Sequence, residues 1–337
     1  MNIDMHSHFI PEKFIKEIKK ANSPFQADLV TKGGKPFIQH EQGYIYPYLD
    51  SFYDEGVKLR EMNEKEIGVT VLSTAPPLFY YWADKDVAHY AAQLVNDEVA
   101  SFVKKNPTRF RAMATVPMND VELACQELDR VVREYGIKAV EIGSHIEGKL
   151  LTDKEYYPFF KKAEELGVMV FIHPYYIGSK NNLEKYYLTN LIGNPLDTSV
   201  TIAHMIFSGF TQRFPFLNVC FAHGGGYIPY QIGRLEHGYK VREEPKADGL
   251  KQSPTEVLKK FYFDSITFNK QSLEFLVDLV GSEKVLMGSD YPFDMGDPQP
   301  VQTIHSLGIE VSDKNKILSQ NVQDLLDIKT RPMTPGK

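Results

Sequence analysis

Five side chains in this 337-residue sequence stand where apolar runs end, and together they could do metal chemistry. His6 and His8 close the opening run. In a strand alternate residues point the same way, so Asp4, His6 and His8 are expected on one face, with Ile3, Met5 and Ser7 on the other. Two imidazoles side by side can ligate one borderline cation such as zinc. His-x-His also decorates solvated strand ends, so the motif gains weight only if later strands add ligands. They do: His173 follows the apolar run 168–172, His223 follows 215–222, and Asp290 follows 285–288. Three histidines and a carboxylate fill a catalytic metal site and leave one position for water. His6, His8, His173 and Asp290 are therefore the expected ligands, Asp290 also serving the chemistry. His223 is surplus to coordination and is expected as the general acid or base.

Such residues need a scaffold that brings distant strand ends together. The chain alternates short, nearly continuous apolar runs with helical patterns. Strands are expected at the N-terminus and near 69–73, 110–116, 139–142, 168–172, 215–222, 261–264 and 285–288. Helices are expected between them, for example over 86–105, 121–135, 157–166, 198–210 and 313–326. Strands buried on both faces and alternating with helices make a parallel sheet, and eight such units make an α/β fold of the (β/α)8 barrel type. That fold builds its active site at the C-terminal ends of the strands, where these five residues lie. No shift of composition divides the chain, so residues 1–327 are expected to form one barrel. Residues 21–50, rich in Gly, Pro and aromatics, read as a small insertion over the core after the first strand, and 328–337 as a flexible tail.

Composition narrows the function classes. The sequence is 42% hydrophobic and 12% aromatic, enough for a large core. Thirty-eight Lys and Arg against 44 Asp and Glu give a net charge of −6 with no long like-charge block, so neither nucleic acid nor an anionic membrane is an expected partner. A small molecule is. Cys125 and Cys220, the only cysteines, stand in apolar settings, which argues for a reducing compartment, and the cytoplasm is expected. No apolar run is long enough to span a bilayer, and the first strand starts so close to Met1 that no signal peptide is expected.

The segments 4–11 (Asp-Met-His-Ser-His-Phe-Ile-Pro), 171–174 (Phe-Ile-His-Pro), 223–226 (His-Gly-Gly-Gly) with Gly233-Arg234 behind it, and 288–293 (Gly-Ser-Asp-Tyr-Pro-Phe) resemble the amidohydrolase superfamily. Within it they are most similar to the aminocarboxymuconate-semialdehyde decarboxylase family, over about residues 2–326. The resemblance implies one divalent metal, usually zinc, on His6, His8, His173 and Asp290, with His223 as catalytic acid/base; manganese is the alternative ion. It also implies no carboxylated lysine bridge, and residues 141–145 after the fourth strand contain no lysine. In the decarboxylases two arginines hold a substrate carboxylate. One is matched by Arg242, supplied across a dimer interface, so a homodimer is expected. The other falls at Tyr46, whose phenol cannot form a guanidinium fork.

The resemblance implies a metal-dependent, non-hydrolytic decarboxylase of a small conjugated or aromatic carboxylic acid. The same constellation can also direct hydrolysis of a lactone, ester or amide, or hydration of an unsaturated acid, and a non-catalytic barrel keeping a metal as a strut is a third possibility. Arg242, Tyr46 and Trp82 are the candidate substrate contacts, Trp82 lying with Phe79, Tyr80 and Tyr81 after the second strand. Packing would use these aromatics equally well. The three glycines after His223 lack the Lys-Ser/Thr of a phosphate loop, and close backbone approach explains them as well.

Overall fold

The computed structural model describes residues 1–175 and 182–328 of the chain. The barrel strands are β1 (Asn2–Phe9), β5 (Ile67–Thr74), β6 (Phe110–Ala112) with β7 (Ala114–Thr115), β8 (Ala139–Gly143), β11 (Met169–His173), β12 (Val219–Phe221), β13 (Tyr262–Asp264) and β14 (Val285–Leu286). The intervening numbers belong to an inserted sheet, β2 (Ala27–Lys32), β3 (Lys35–His40) and β4 (Ile45–Pro47), and to a hairpin, β9 (His145–Ile146) and β10 (Lys149–Leu150). All barrel pairings are parallel, in the order β1-β5-β6 and β7-β8-β11-β12-β13-β14. Met113 interrupts the third strand, yet its N–H donates to the Leu72 carbonyl at 2.8 Å, keeping the ring continuous. Separate bonds close β14 onto β1: Met5 N–H to the Met287 carbonyl (2.9 Å) and Asp290 N–H to the His6 carbonyl (2.8 Å). The result is the (β/α)8 barrel expected from the alternation of strands and helices.

The lumen is filled by one apolar layer drawn from nearly every strand, including Ile3, Met5, Val71, Met113, Phe171, Cys220 and Leu286. Val322 and Leu326 of the last helix, and Ile328 just after it, pack on the same layer. Outer faces of the strands meet the helices, some of which carry side-chain caps. The helix Val121–Tyr135 starts on Asp120, which accepts from the Leu123 N–H at 3.0 Å, and stops at Gly136 in a left-handed turn (φ 66°). No helix among the described residues is long and apolar enough to cross a membrane.

Four details depart from, or go beyond, the expectations. The segment 21–50 is an ordered three-stranded antiparallel sheet over its own core, which includes Phe14, Phe25, Tyr46 and Tyr80. The helix expected over 198–210 spans Asn194–Phe207, and the last helix runs as three consecutive segments, Val311–Asn315, Lys316–Gln320 and Asn321–Leu326, the middle one of π type. Most of the expected tail, 329–337, lies outside the described residues, as do residues 176–181 of the loop after β11. Lastly, Asp4 does not share a face with His6 and His8. The register with β5 shifts between Asp4 and Ser7, so Met5 and His6 both face the lumen, and Asp4 turns to accept from the Ser289 N–H (3.0 Å) and the Thr70 hydroxyl (3.1 Å).

Candidate active site

The strand ends bring His6, His8, His173 and Asp290 into one buried cluster, with a ligand atom of each within 4.8 Å of those of the other three. His6 Nε2 and His8 Nε2 are 3.1 Å apart, and Asp290 Oδ1 lies 2.9 Å from His8 Nε2 and 3.4 Å from His6 Nε2. His173 Nε2 is buried and, among the described residues, has no hydrogen-bond partner.

The outer nitrogens explain why these rings point inward. His6 Nδ1 donates to Asp264 Oδ2 (2.7 Å), His8 Nδ1 to the Thr74 carbonyl (2.9 Å) and His173 Nδ1 to the Pro174 carbonyl (2.9 Å). With the proton held at Nδ1, each Nε2 carries a lone pair toward the centre. Three converging lone pairs and a carboxylate repel one another in a dry pocket, and a cation removes that repulsion. The donor set therefore fits a divalent metal ion.

Charge follows the same pattern. Burial, reinforced by the neighbouring imidazoles, holds the His173 pKa well below its usual value, so the ring is neutral, as a ligand must be. Burial would raise the Asp290 carboxyl, but His223, His6 and His8 hold it well below the usual carboxylate range. Burial would likewise lower His223, yet the hydrogen bond and charge of Asp290, with the charge of Asp264, leave its pKa raised. His223 Nε2 lies 3.5 Å from Asp290 Oδ2, the oxygen facing away from His8. Proton binding is thereby favoured at His223 beside the cluster, where an acid/base group is useful.

Backbone strain concentrates here. His223 (φ 54°) and Asp290 (φ 58°) both occupy the left-handed region, which non-glycine residues avoid. Glycines make room for them. A Cβ on Gly288 would sit 2.9 Å from His6 Cβ, and one on Gly226 would sit 2.3 Å from the Pro195 carbonyl oxygen. The Gly224 N–H is already committed to Asp264 Oδ1 at 2.9 Å. The three glycines thus serve close packing, the second of the two explanations their sequence allows.

The cluster opens into a cleft of about 880 Å³ whose wall includes His173, His223, Asp290, Tyr44, Tyr175 and Phe293. Tyr46 and Trp82 do not line it. Tyr46 points into the inserted sheet's core, its hydroxyl 2.9 Å from His40 Nε2, and Trp82 packs against Tyr80 and His40. Tyr44, at the turn before β4, is the insertion's contribution to the wall, stacked with Tyr175. Arg242 ends the helix Ile228–Val241, is 65% exposed, and pairs with Glu244 outside the wall.

Two residues beside the cluster escaped the sequence reading. Asp264 orients His6 from the end of β13, and the rule that singled out His173 and Asp290 would have found it. Glu141, a buried acid within β8, gave no such signal, because it stands inside an apolar run rather than after one.

Comparison with known proteins agrees with this geometry. The sequence pattern of the Amidohydrolase family matches residues 3–328. The 2-amino-3-carboxymuconate-6-semialdehyde decarboxylase of Dictyostelium discoideum is 37% identical over 97% of this chain and 92% of its own length. The protein of the same name from Caenorhabditis elegans is 28% identical over 97% of this chain and 94% of its own length. Among solved structures, the IDCase of Metarhizium anisopliae superposes with a TM-score of 0.84 at 21% identity, covering 97% of each chain, a likeness of fold.

Proposed function

The chain belongs to the amidohydrolase family, and from that premise we propose that it is a metal-dependent decarboxylase of a small conjugated or aromatic carboxylic acid. The observation that carries the proposal is the convergence of three Nε2 lone pairs and Asp290 on one point, with His223 against the far oxygen of the same carboxylate. The near full-length likeness to the Dictyostelium decarboxylase makes 2-amino-3-carboxymuconate-6-semialdehyde the first acid to test. Carbon dioxide release from it, abolished by chelation and restored by a divalent ion, tests the reading.

His6, His8, His173 and Asp290 would hold one ion, and three imidazoles with one carboxylate favour zinc, with manganese the alternative. When bound, the ion acts as a Lewis acid that draws negative charge from an oxygen of the substrate. The chain does the rest. Tyr44, Tyr175 and Phe293 offer flat apolar surface to a conjugated ring or chain and displace water from it. As the carbon–carbon bond breaks, its electron pair stays on the substrate carbon, and carbon dioxide leaves. His223 supplies the proton that carbon then takes, and recovers one from solvent through the open cleft.

The working form is proposed to be a homodimer. Tyr230, 83% exposed, with the exposed Leu196 and Val200, gives the two helices beside the cleft an apolar outer face, and Arg242 stands exposed at the end of one of them. That placement suits an arginine directed at the cleft of a second copy. The free thiols of Cys125 and Cys220 accord with a cytoplasmic location.

A further inference from the structure

Glu141 is a buried acid of the barrel strands that the foregoing mechanism does not use and, unlike Asp4, it has no hydrogen-bond donor to its carboxyl oxygens among the described residues. Its side chain faces the lumen: Ala139, two residues earlier, belongs to the interior layer, whereas Val140 and Ile142 belong to the outer core. It pairs in register with Phe171, whose ring lies 4.9 Å from the His6 ring, so it sits one layer below the metal ligands. Residue and carboxyl are completely buried, and among the described residues neither oxygen has a hydrogen-bond partner. The Ser73 hydroxyl, which donates to the Ser7 carbonyl at 3.2 Å, is close enough to offset only part of the cost of that burial. The Glu141 carboxyl is electrostatically coupled to His8 and to Asp290, the half of the cluster that Asp264 does not orient.

An unpartnered buried carboxyl costs stability, and a leucine or methionine would fill the same space without that cost. Asp264 already shows how a carboxyl under a ligand serves the cluster, by orienting His6. We propose that Glu141 is the matching support on the opposite side, a positioning residue that strengthens cation binding at His8 and Asp290 without being a ligand itself. Burial keeps the carboxyl protonated in the metal-free protein. The positive charge that four ligands would gather lies above it; that charge would favour release of the proton and be stabilised by the carboxylate left one layer away, through a medium of low dielectric. The inference rests on the metal-centre reading given above.

The test uses metal-free full-length protein titrated with zinc or manganese against a competing chelator, together with thermal melts of the metal-free forms. Glu141→Gln keeps the shape and removes the ability to ionise; Glu141→Met removes the polar group altogether. Both should bind the cation about 10-fold or more weakly than the wild type, the range found for outer-shell partners. Metal-free Glu141→Met should melt at or above the wild-type temperature. A residue that only packs would give the reverse, unchanged cation affinity with a lowered melt, and that result overturns the proposal. If the wild type itself binds no divalent ion, the metal-centre reading fails and takes this inference with it; if the wild type binds and both variants bind equally, only Glu141's role is lost.

Discussion

His6 Nδ1 stands 2.7 Å from Asp264 Oδ2, and this bond, made across the barrel from β1 to β13, aims the His6 lone pair at the cluster. Asp264 is itself fixed by N–H donors from Gly224 (2.9 Å) and Ile266 (3.1 Å). Replacement by asparagine should leave His6 free to rotate or change tautomer. Asp264→Asn is expected to weaken divalent-ion affinity about 10- to 100-fold, measured by chelator competition.

His223 reaches the cluster's carboxylate at 3.5 Å from Asp290 and packs its ring beside those of His6 and His173, without being one of the four converging ligands. Its removal should spare metal content and damage turnover. His223→Ala is expected to retain one ion per chain by elemental analysis while kcat falls by about 10²–10⁴. Loss of the metal in that variant would make His223 a ligand rather than the proton donor.

Gly226 lets the turn after His223 lie on the helix Asn194–Phe207. A Cβ there would meet the Pro195 carbonyl oxygen at 2.3 Å and the Ser199 hydroxyl at 2.8 Å, on a backbone with φ 63°. Gly226→Ala should lower stability by about 2 kcal/mol or more, read from denaturant melts.

Tyr46 bonds to His40 inside the inserted sheet and lies off the cleft wall. Tyr46→Phe should therefore cost about 1 kcal/mol of stability and leave kcat/KM within roughly twofold. A large rise in KM would return Tyr46 to the substrate.

Glu141 makes a pH prediction for the metal-free protein. Burial pushes its carboxyl up to about 8, above the ordinary value of about 4.3 in an unfolded chain. Between those values the folded form keeps a proton that the unfolded form releases, so stability falls as pH rises from about 4.5 toward 8. The melting temperature of Glu141→Gln relative to the wild type should thus be higher at pH 8 than at pH 5. An equal difference at both pH values would contradict the burial of this acid.

The His and Asp cluster was legible in the sequence because one rule covers its parts: polar residues that stop apolar runs collect at one end of a barrel. His173, His223 and Asp290 obey it, although His6 and Asp290 stand near opposite ends of the sequence. Asp4 misled, since a register shift inside β1 breaks the two-residue alternation and no local sequence signal announces it. The substrate side was harder to read. Tyr44 rather than Tyr46 reaches the cleft because β4 is short and its pairing of Tyr46 with Ile38 points the ring into the small core, a choice made by tertiary packing. Glu141 was hidden for another reason: a charge within a strand looks solvated until the barrel closes around it.

Metal-dependent decarboxylation is tested most directly by measuring carbon dioxide from 2-amino-3-carboxymuconate-6-semialdehyde and a panel of hydroxybenzoates, beside ester and lactone hydrolysis. Protein loaded with one zinc or manganese ion, its chelated form and His223→Ala are compared. The account predicts carbon dioxide in step with substrate loss from at least one acid, only in the metal-loaded wild type. Hydrolysis of esters or lactones with no carbon dioxide from any acid would contradict it.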